Sequence, residues 1–343
     1  MMPAFLHSSS LRPILIIKFL LLTGALLLGL SGCADRQDST QADPLPSWND
    51  GAAKSGILDF VQRVTDRNGP EFVAVRDRIA VFDNDGTLII EKPTLVQFEF
   101  LYNRIKNLAP EHPEWSTTQP FKAVLEDDRK ALTEMGFRKR GPLVEASQGN
   151  LFQDDFGSSV VAFLATEKHA RYQRRYVELV YAPMIELIRY LEINDFSVFI
   201  VSGGGIDFIR NFSEDVYAIS RERVIGSSTK TELRSRDDRV AVYRKTGFRS
   251  INAGRFKPLN IWLHVGRRPI FAAGNSDGDI DMLRFTTDAE LPSLAVLLRH
   301  DDAVREYAYD EGSEKTLAAA AGRGWVTVSM RDDFATLFGA GSD

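Results

Sequence analysis

Cysteine is almost absent from this sequence, which has one, Cys33, among 343 residues. A single cysteine excludes an intramolecular disulfide, so disulfide bonds cannot staple the fold. Basic residues are also outnumbered, with 42 Lys and Arg against 47 Asp and Glu, and the net charge is -5. Because nucleic-acid binding needs a basic face that displaces counterions from phosphates, we expect no nucleic-acid partner.

Long hydrophobic runs are scarce as well. The apolar run Phe19–Leu30 is too short to span a bilayer as a permanent helix, but it has the length of a signal-peptide core. Arg12 and Lys18 precede it, as basic residues precede such cores. The run ends in the sequence LSGC at Leu30–Cys33, which resembles the bacterial lipobox.

This resemblance implies that residues 1–33 are a lipoprotein signal peptide with its lipobox. Cys33 would then carry palmitate and anchor the protein in a membrane, facing the periplasm. Ala34 follows the cysteine, which is similar to the pattern of lipoproteins sent to the outer membrane. An ordinary secretory signal with a chance cysteine is the alternative.

The composition is that of a globular protein, since 44% hydrophobic and 26% charged residues suffice for at least one full core. Residues 34–55 are polar and lack periodicity, which predicts a flexible tether. Apolar residues recur at helical spacing from Ile57 to Val64 and predict a first helix. We therefore place the folded part at residues 56–343, a length that permits two ordinary domains or one α/β domain with an insertion.

Three apolar, partly β-branched runs each end in a cluster of polar and turn-forming residues. Such runs predict buried parallel strands, which are hydrophobic on both faces. Ligands of open parallel sheets lie beyond the carboxyl ends of the strands, so we expect the three clusters to meet at one pocket. The pairs of strand and cluster are Arg78–Phe82 with Asp83–Thr87, Phe196–Val201 with Ser202–Gly205, and Arg268–Ala273 with Gly274–Asp279.

Roughly a hundred residues separate the first and second clusters, far more than the dozen or so that a crossover helix needs. The segment at about 95–190 has long helical stretches, among them Ala170–Leu191, and few strand signals. These patterns predict an α/β fold, a Rossmann-like parallel sheet core with an inserted helical cap. Val224–Ser228 and Val240–Arg244 predict two short strands, which would form a hairpin at the edge of the sheet.

The first cluster carries two carboxylates, Asp83 and Asp85, two residues apart at a strand end, so both side chains point to the same face. Carboxylates this close require that one is protonated or that a divalent cation bridges them. Either state suits phosphoryl transfer, because one carboxylate can attack phosphorus while the other acts as general acid and base. Gly86 allows a ligand to approach the backbone.

The sequence DNDGT at Asp83–Thr87, with the strand before it, resembles the first motif of haloacid dehalogenase (HAD) superfamily phosphatases. The resemblance implies that Asp83 is the nucleophile, that Asp85 is the general acid and base, and that both bind Mg²⁺. Ser202 and Gly203 resemble the second motif, in which a hydroxyl and backbone N–H groups hold phosphate oxygens. Taken alone, these clusters would also suit a calcium-type loop or surface turn and a tight glycine turn.

The superfamily also has a lysine shortly before the last of these strands, and Lys257 occupies that place. The resemblance implies that its ammonium neutralises the carboxylates and contacts the phosphoryl group of the substrate. Lys245 is the other candidate. We prefer Lys257 because Pro258 opens a helical stretch that leads directly to the strand at Arg268–Ala273.

The third cluster resembles the motif that completes the Mg²⁺ site, except that Asn275 stands where many relatives carry aspartate. An amide oxygen can ligate Mg²⁺ but brings no charge, so Asp277 or Asp279 is expected to take up part of that task. We also expect the substitution Asn275→Asp to tighten Mg²⁺ binding. The predicted metal ligands are Asp83, Asp85, Asn275 and Asp279.

The motifs follow the superfamily order from Arg78 to Met282 and are most similar to the phosphoserine-phosphatase-like branch. We therefore expect a Mg²⁺-dependent phosphomonoester hydrolase that acts on a small phosphorylated metabolite outside the cytoplasm, through an aspartyl-phosphate at Asp83. In phosphoserine phosphatases a glutamate lies nine residues after the nucleophile, whereas here that position is Lys92, beside Glu91. Recognition of an amino-acid ammonium therefore does not follow, and the substrate stays open.

Other activities of related proteins fit less well. Dehalogenases lack the second aspartate of the first motif, which is present here as Asp85, and P-type ATPases need membrane-spanning helices. A lipid-anchored binding module that keeps the fold and has lost turnover is the remaining alternative, indicated by Asn275. The expected partners are a small phosphorylated substrate and the membrane, and the sequence identifies no protein partner.

Overall fold

The computed structural model describes residues 42–339. The predicted signal peptide, Cys33 and residues 34–41 of the predicted tether lie outside the described residues. Within the described range, no helix has the length and apolar character needed to cross a membrane.

One mostly parallel sheet organises the described residues. The strands are β1 Ile79–Phe82, β2 Leu151–Phe152, β3 Ser197–Gly205, β4 Val224–Arg236, β5 Arg239–Ser250, β6 Phe271–Gly274, β7 Leu294–Arg299 and β8 Val326–Ser329. Their order across the sheet is β2-β5-β4-β3-β1-β6-β7-β8. The six strands from β4 to β8 in this order pair in parallel, whereas β5 is antiparallel to both β4 and β2. The predicted Rossmann-like α/β core is confirmed.

Helices cover the sheet and fill the segment between β1 and β3. They are α1 Ala52–Thr65, α2 Val96–Leu108, α3 Phe121–Leu125, α4 Arg129–Glu134, α5 Gly136–Lys139, α6 Gly141–Gln148, α7 Gln153–Thr166, α8 Ala182–Ile193, α9 Ile206–Ile209, α10 Ser213–Tyr217, α11 Phe256–Val265, α12 Ile280–Thr287 and α13 Glu314–Arg323. Helices α2 to α7 lie in the segment predicted as a helical cap. Helix α8 packs against β3 and is therefore part of the core.

Two local predictions need correction. The stretch Ala170–Leu191 is not one helix, since α8 begins only at Ala182, with Pro183 in its first turn. The predicted hairpin is β4 and β5, and both strands are several residues longer than the sequence indicated. The outer part of β4, Lys230–Arg236, is polar apart from Leu233 and mostly exposed, so it carries no apolar alternation that would mark a strand.

The packed domain also starts earlier than predicted. Leu45 is fully buried, and the Trp48 ring lies edge-on to Phe334 at 4.9 Å between centroids. The backbone N–H and the hydroxyl of Ser47 donate to Glu186 over 2.8 and 2.6 Å. The predicted tether boundary at residue 55 is therefore wrong, because residues 43–55 belong to the folded domain.

The central strands show why the first cluster lies where it does. In β1, Ala80 and Phe82 pack into one hydrophobic core and Ile79 and Val81 into another, so both faces of the strand are buried. Phe82 is in register with Ile200 of β3 and with Ala273 of β6. Strands β1 and β6 therefore end at neighbouring positions, and Ser202, two residues after Ile200 in β3, lies at the same edge of the sheet.

Candidate active site

Lys257 connects the first and third clusters through two buried ion pairs, which together are called the ion chain below. Lys257 Nζ lies 2.7 Å from Asp83 Oδ1 and 2.6 Å from Asp279 Oδ1. All three side chains are buried. Burial alone would lower the pKa of Lys257, but Asp279 and Asp83 raise it above its ordinary value, so the ammonium stays charged. Burial and the charge of Asp279 raise the pKa of Asp83, and Lys257 opposes that rise.

Asp279 holds this lysine in place. Its second oxygen, Oδ2, accepts hydrogen bonds from the backbone N–H groups of Asn275 and Ser276, both over 3.1 Å. The carboxylate therefore braces the turn after β6 as well as Lys257. These contacts favour a positioning role, and the metal-binding role predicted for Asp279 stays a prediction.

Asp85 lies beside Ser202, whose hydroxyl is 3.4 Å from Asp85 Oδ2. Burial and then the neighbouring charge of Glu91 raise the pKa of Asp85 from 3.8 to about 6. A carboxyl group that titrates near neutral pH can give up and take back a proton during turnover. Asp83 and Asp85 thus differ in surroundings, since only Asp83 has an ion pair with Lys257.

Residues near the end of β3 form the side of the site that lies next to Asp85. The Ser202 hydroxyl accepts a hydrogen bond from the Gly204 N–H over 2.9 Å, and Gly203 borders the same space. The Asn252 amide donates to the Ser202 carbonyl over 2.9 Å and fixes the strand end from behind. Asn252 is fully buried and was not singled out from the sequence, where a lone asparagine gives no signal.

Two residues considered from the sequence lie elsewhere. Lys245 is on the hairpin and pairs with Glu232 at 3.0 Å, so the structure brings Lys257 to Asp83 instead. Asp277 Oδ1 accepts from the N–H and the hydroxyl of Thr316, each over 2.9 Å, and thereby holds the start of α13.

Both polar atoms of the Asn275 amide make hydrogen bonds in or near the first cluster. Its Oδ1 accepts from the Thr87 hydroxyl over 3.1 Å, and its Nδ2 donates to Glu91 Oε1 over 2.9 Å. The side chain is buried. Asn275 is thus beside the predicted metal ligands, and its own ligand role stays a prediction.

The oxygen donors of this edge fit Mg²⁺. No group of three or more His, Cys, Asp or Glu within residues 42–339 forms a complete metal site. Mg²⁺, however, usually takes one or two carboxylates and completes its shell with waters and substrate oxygens. Lys257 compensates Asp83, whereas burial and then the nearby charge of Glu91 disfavour the charged form of Asp85 and raise its pKa. A divalent cation at Asp83 and Asp85 would stabilise that charged form.

A buried histidine supports the turn after β1. His300 Nε2 donates to the Gly86 carbonyl over 2.8 Å, and Nδ1 donates to Glu306 Oε2 over 2.9 Å. Burial alone would lower the pKa of His300. The hydrogen bond and the charge of Glu306 raise that pKa by more, so it lies above its ordinary value. The sequence gives no sign of this contact because His300 lies far along the chain.

An apolar cavity of about 380 Å³ opens beside Asp85 and the glycines after Ser202. Arg244, in its wall, pairs with Asp207, and its guanidinium lies 4.0 Å from the centroid of the Phe156 ring. The two charges compensate each other. The apolar wall consists of Leu95, Phe98, Leu101, Val144, Phe208, Phe248, Ile251 and Ala253.

Solved structures with a similar fold extend over most of the chain. A protein of unknown function from Anaerococcus prevotii DSM 20548 is 16% identical, with a TM-score of 0.51, over 84% of this chain and 96% of its own. A phosphoserine phosphohydrolase-like protein from Francisella tularensis subsp. tularensis SCHU S4 is 16% identical, with a TM-score of 0.36, over 71% and 98%. A HAD family hydrolase from Salmonella enterica subsp. enterica serovar Typhi is 14% identical, with a TM-score of 0.36, over 68% and 65%. No protein-family profile and no curated protein sequence matches the chain.

Proposed function

We propose that the protein is a Mg²⁺-dependent phosphomonoester hydrolase that is phosphorylated on Asp83. The ion chain from Asp83 through Lys257 to Asp279 supports this proposal most directly. It holds one carboxylate next to a permanent ammonium at the carboxyl edge of a parallel sheet, where ligands bind. The HAD-type motifs of the sequence and the fold of the chain agree with it.

The proposed reaction has two steps. The Asp83 carboxylate attacks phosphorus, the bond to the leaving oxygen breaks, and protonated Asp85 gives its proton to that oxygen. Asp85 then takes a proton from water, whose oxygen attacks the aspartyl-phosphate and releases inorganic phosphate. Lys257 and Ser202, with the N–H groups at Gly203, bind the phosphoryl oxygens. Mg²⁺, held by Asp83 and Asp85, would neutralise charge on those oxygens.

The cavity indicates the kind of leaving group. Its wall is mainly aliphatic and aromatic, and the Arg244 charge is already compensated by Asp207. Apart from Asp85, the charged side chains among the described lining residues are Arg244 and Asp207, and their mutual pairing leaves no free charge for a second anionic or ammonium group on the substrate. We therefore propose phosphate esters of compact alcohols or phenols with an apolar body.

A panel of phosphate monoesters tests the activity. The mature protein, with and without added Mg²⁺, should release phosphate from 1-naphthyl phosphate faster than from phosphoserine, and Asp83→Asn should release none. Binding of a phosphate ester without release of phosphate would favour the binding-module alternative instead.

We also propose that acylated Cys33 holds the domain at a membrane on the periplasmic side. Ala34, which follows the cysteine, favours the outer membrane. The LSGC sequence at Leu30–Cys33 supports this proposal. Mass spectrometry of the mature N-terminus tests it, because Cys33 should be the first residue and should carry acyl chains. An unmodified Cys33 would contradict the anchor.

A further inference from the structure

We infer that Glu91 supplies the negative charge that Asn275 lacks, so that these two residues together take the place of one carboxylate ligand at the metal site. The inference rests on the proposed Mg²⁺ site, and it assigns to Glu91 a metal-directed role.

The contacts of Asn275 fix which way its amide faces. Glu91 can only accept hydrogen bonds, so the amide nitrogen must point to it, and the amide oxygen then accepts from Thr87. The Tyr309 hydroxyl donates to the same oxygen of Glu91, Oε1, over 2.5 Å. Within the described residues both hydrogen bonds to Glu91 use Oε1, so Oε2 keeps its acceptor capacity for a cation or its water shell.

The same geometry explains why position 275 carries an amide. An aspartate there would place a second carboxylate at hydrogen-bond distance from Glu91, and the two like charges would repel each other. With Asn275 the contact becomes a hydrogen bond. Glu91 thus provides a third carboxylate near the predicted metal ligands Asp83 and Asp85. It takes the place of the aspartate that many relatives carry in the turn after β6.

The pair is also held close to the metal-binding turn. A Cβ atom on Gly86 would lie 2.2 Å from Asn275 Nδ2 and 2.6 Å from Glu91 Oε1, so the backbone of the turn touches both partners. Because Gly86 directly follows Asp85, a cation bound at Asp85 would lie close to the charge of Glu91 as well.

A double-mutant cycle with Mg²⁺ alone tests the inference. Calorimetric titration in the absence of substrate should show that Glu91→Gln weakens Mg²⁺ binding about tenfold to a hundredfold. Asn275→Asp should lower the Tm of the metal-free protein, because the two carboxylates then face each other. The double variant Glu91→Gln/Asn275→Asp should regain Mg²⁺ affinity near that of the wild type, as well as the lost Tm. Glu232→Gln, on the exposed hairpin, is the control for loss of one negative charge.

Unchanged Mg²⁺ affinity in Glu91→Gln, or a double variant that binds no better than Glu91→Gln, would overturn the inference. Absence of Mg²⁺ binding to the wild type would overturn it together with the metal site. If the cycle behaves as expected and no phosphate ester is hydrolysed, the proposed function is wrong and the inference stands.

Discussion

Lys257 and Asp279 form an ion pair of 2.6 Å in which both side chains are buried, the carboxylate completely. Removal of one partner from a buried pair leaves an uncompensated charge in a medium of low polarity. The loss of either partner is therefore expected to destabilise the fold.

Lys257→Met should lower the free energy of unfolding by about 3 to 5 kcal/mol, because Asp83 and Asp279 then lose their shared cation. Lys245→Met is the matched control, since its exposed pair with Glu232 should contribute little to stability. Urea denaturation of both variants measures the difference. Equal losses would contradict the buried ion chain as a stabilising unit.

Asp83→Asn and Asp85→Asn should fail at different steps. Asp83→Asn removes the nucleophile, so no phosphoenzyme should be seen in acid-quenched samples analysed by mass spectrometry. Asp85→Asn keeps the nucleophile but loses general acid and base help, which is worth about a hundredfold to ten-thousandfold in rate. Near-normal turnover by Asp83→Asn would show that another residue is the nucleophile.

The raised pKa of Asp85 predicts a pH-dependent stability in metal-free protein. Its pKa rises from 3.8 in the unfolded chain to about 6 in the fold. The folded state therefore holds the proton more tightly, and this stabilisation is fully present below pH 3.8 and lost as the pH rises through about 6. The gain in unfolding free energy of Asp85→Asn over the wild type should thus grow between pH 4 and pH 7. A gain that is constant or shrinks over this range in denaturation series would contradict the assignment.

Gly86→Ala should damage Mg²⁺ binding and activity. Gly86 has a φ of +73°, and the new methyl group would clash with Asn275 and Glu91. Gly266→Ala is the control, because Gly266 has a φ of +69° but no atom within 4 Å of the added methyl group. Both variants should lose stability from backbone strain, and Gly86→Ala alone should also lose calorimetric Mg²⁺ binding. Equal Mg²⁺ affinities would refute the close contact.

Ile251→Ser tests the apolar cavity. Ile251 lines the cavity and is 45% exposed, so its loss should disturb the core little while raising the KM for 1-naphthyl phosphate. Ile193→Ser, at an exposed position away from the cavity lining, should leave that KM unchanged. Equal effects of both variants would place the leaving group elsewhere.

The sequence predicted structure best where an apolar strand, buried on both faces, is followed directly by a polar turn. Ile79–Phe82 is apolar throughout, so its strand and the position of Asp83 at its end could be predicted. Lys257 was implied by the resemblance to HAD phosphatases, and Pro258, near the start of α11, favoured it over Lys245. Each of these signals lies within a few neighbouring residues.

The supporting residues could not be predicted in this way. His300 and Asn252 reach the site only through tertiary contacts, and an isolated histidine or asparagine has no pattern that marks it. Composition also misled at residues 43–55, where polar residues surround Leu45 and Trp48, two buried anchors too few to give a period.

Under the proposed anchor, the packing of Ser47 and Trp48 limits how far the folded domain can stand from the membrane. If Cys33 carries the anchor, about ten residues remain before the packed domain begins, and even a fully extended chain of that length reaches only roughly 35 Å. That length would keep the start of the packed domain, at residue 43, near the bilayer surface.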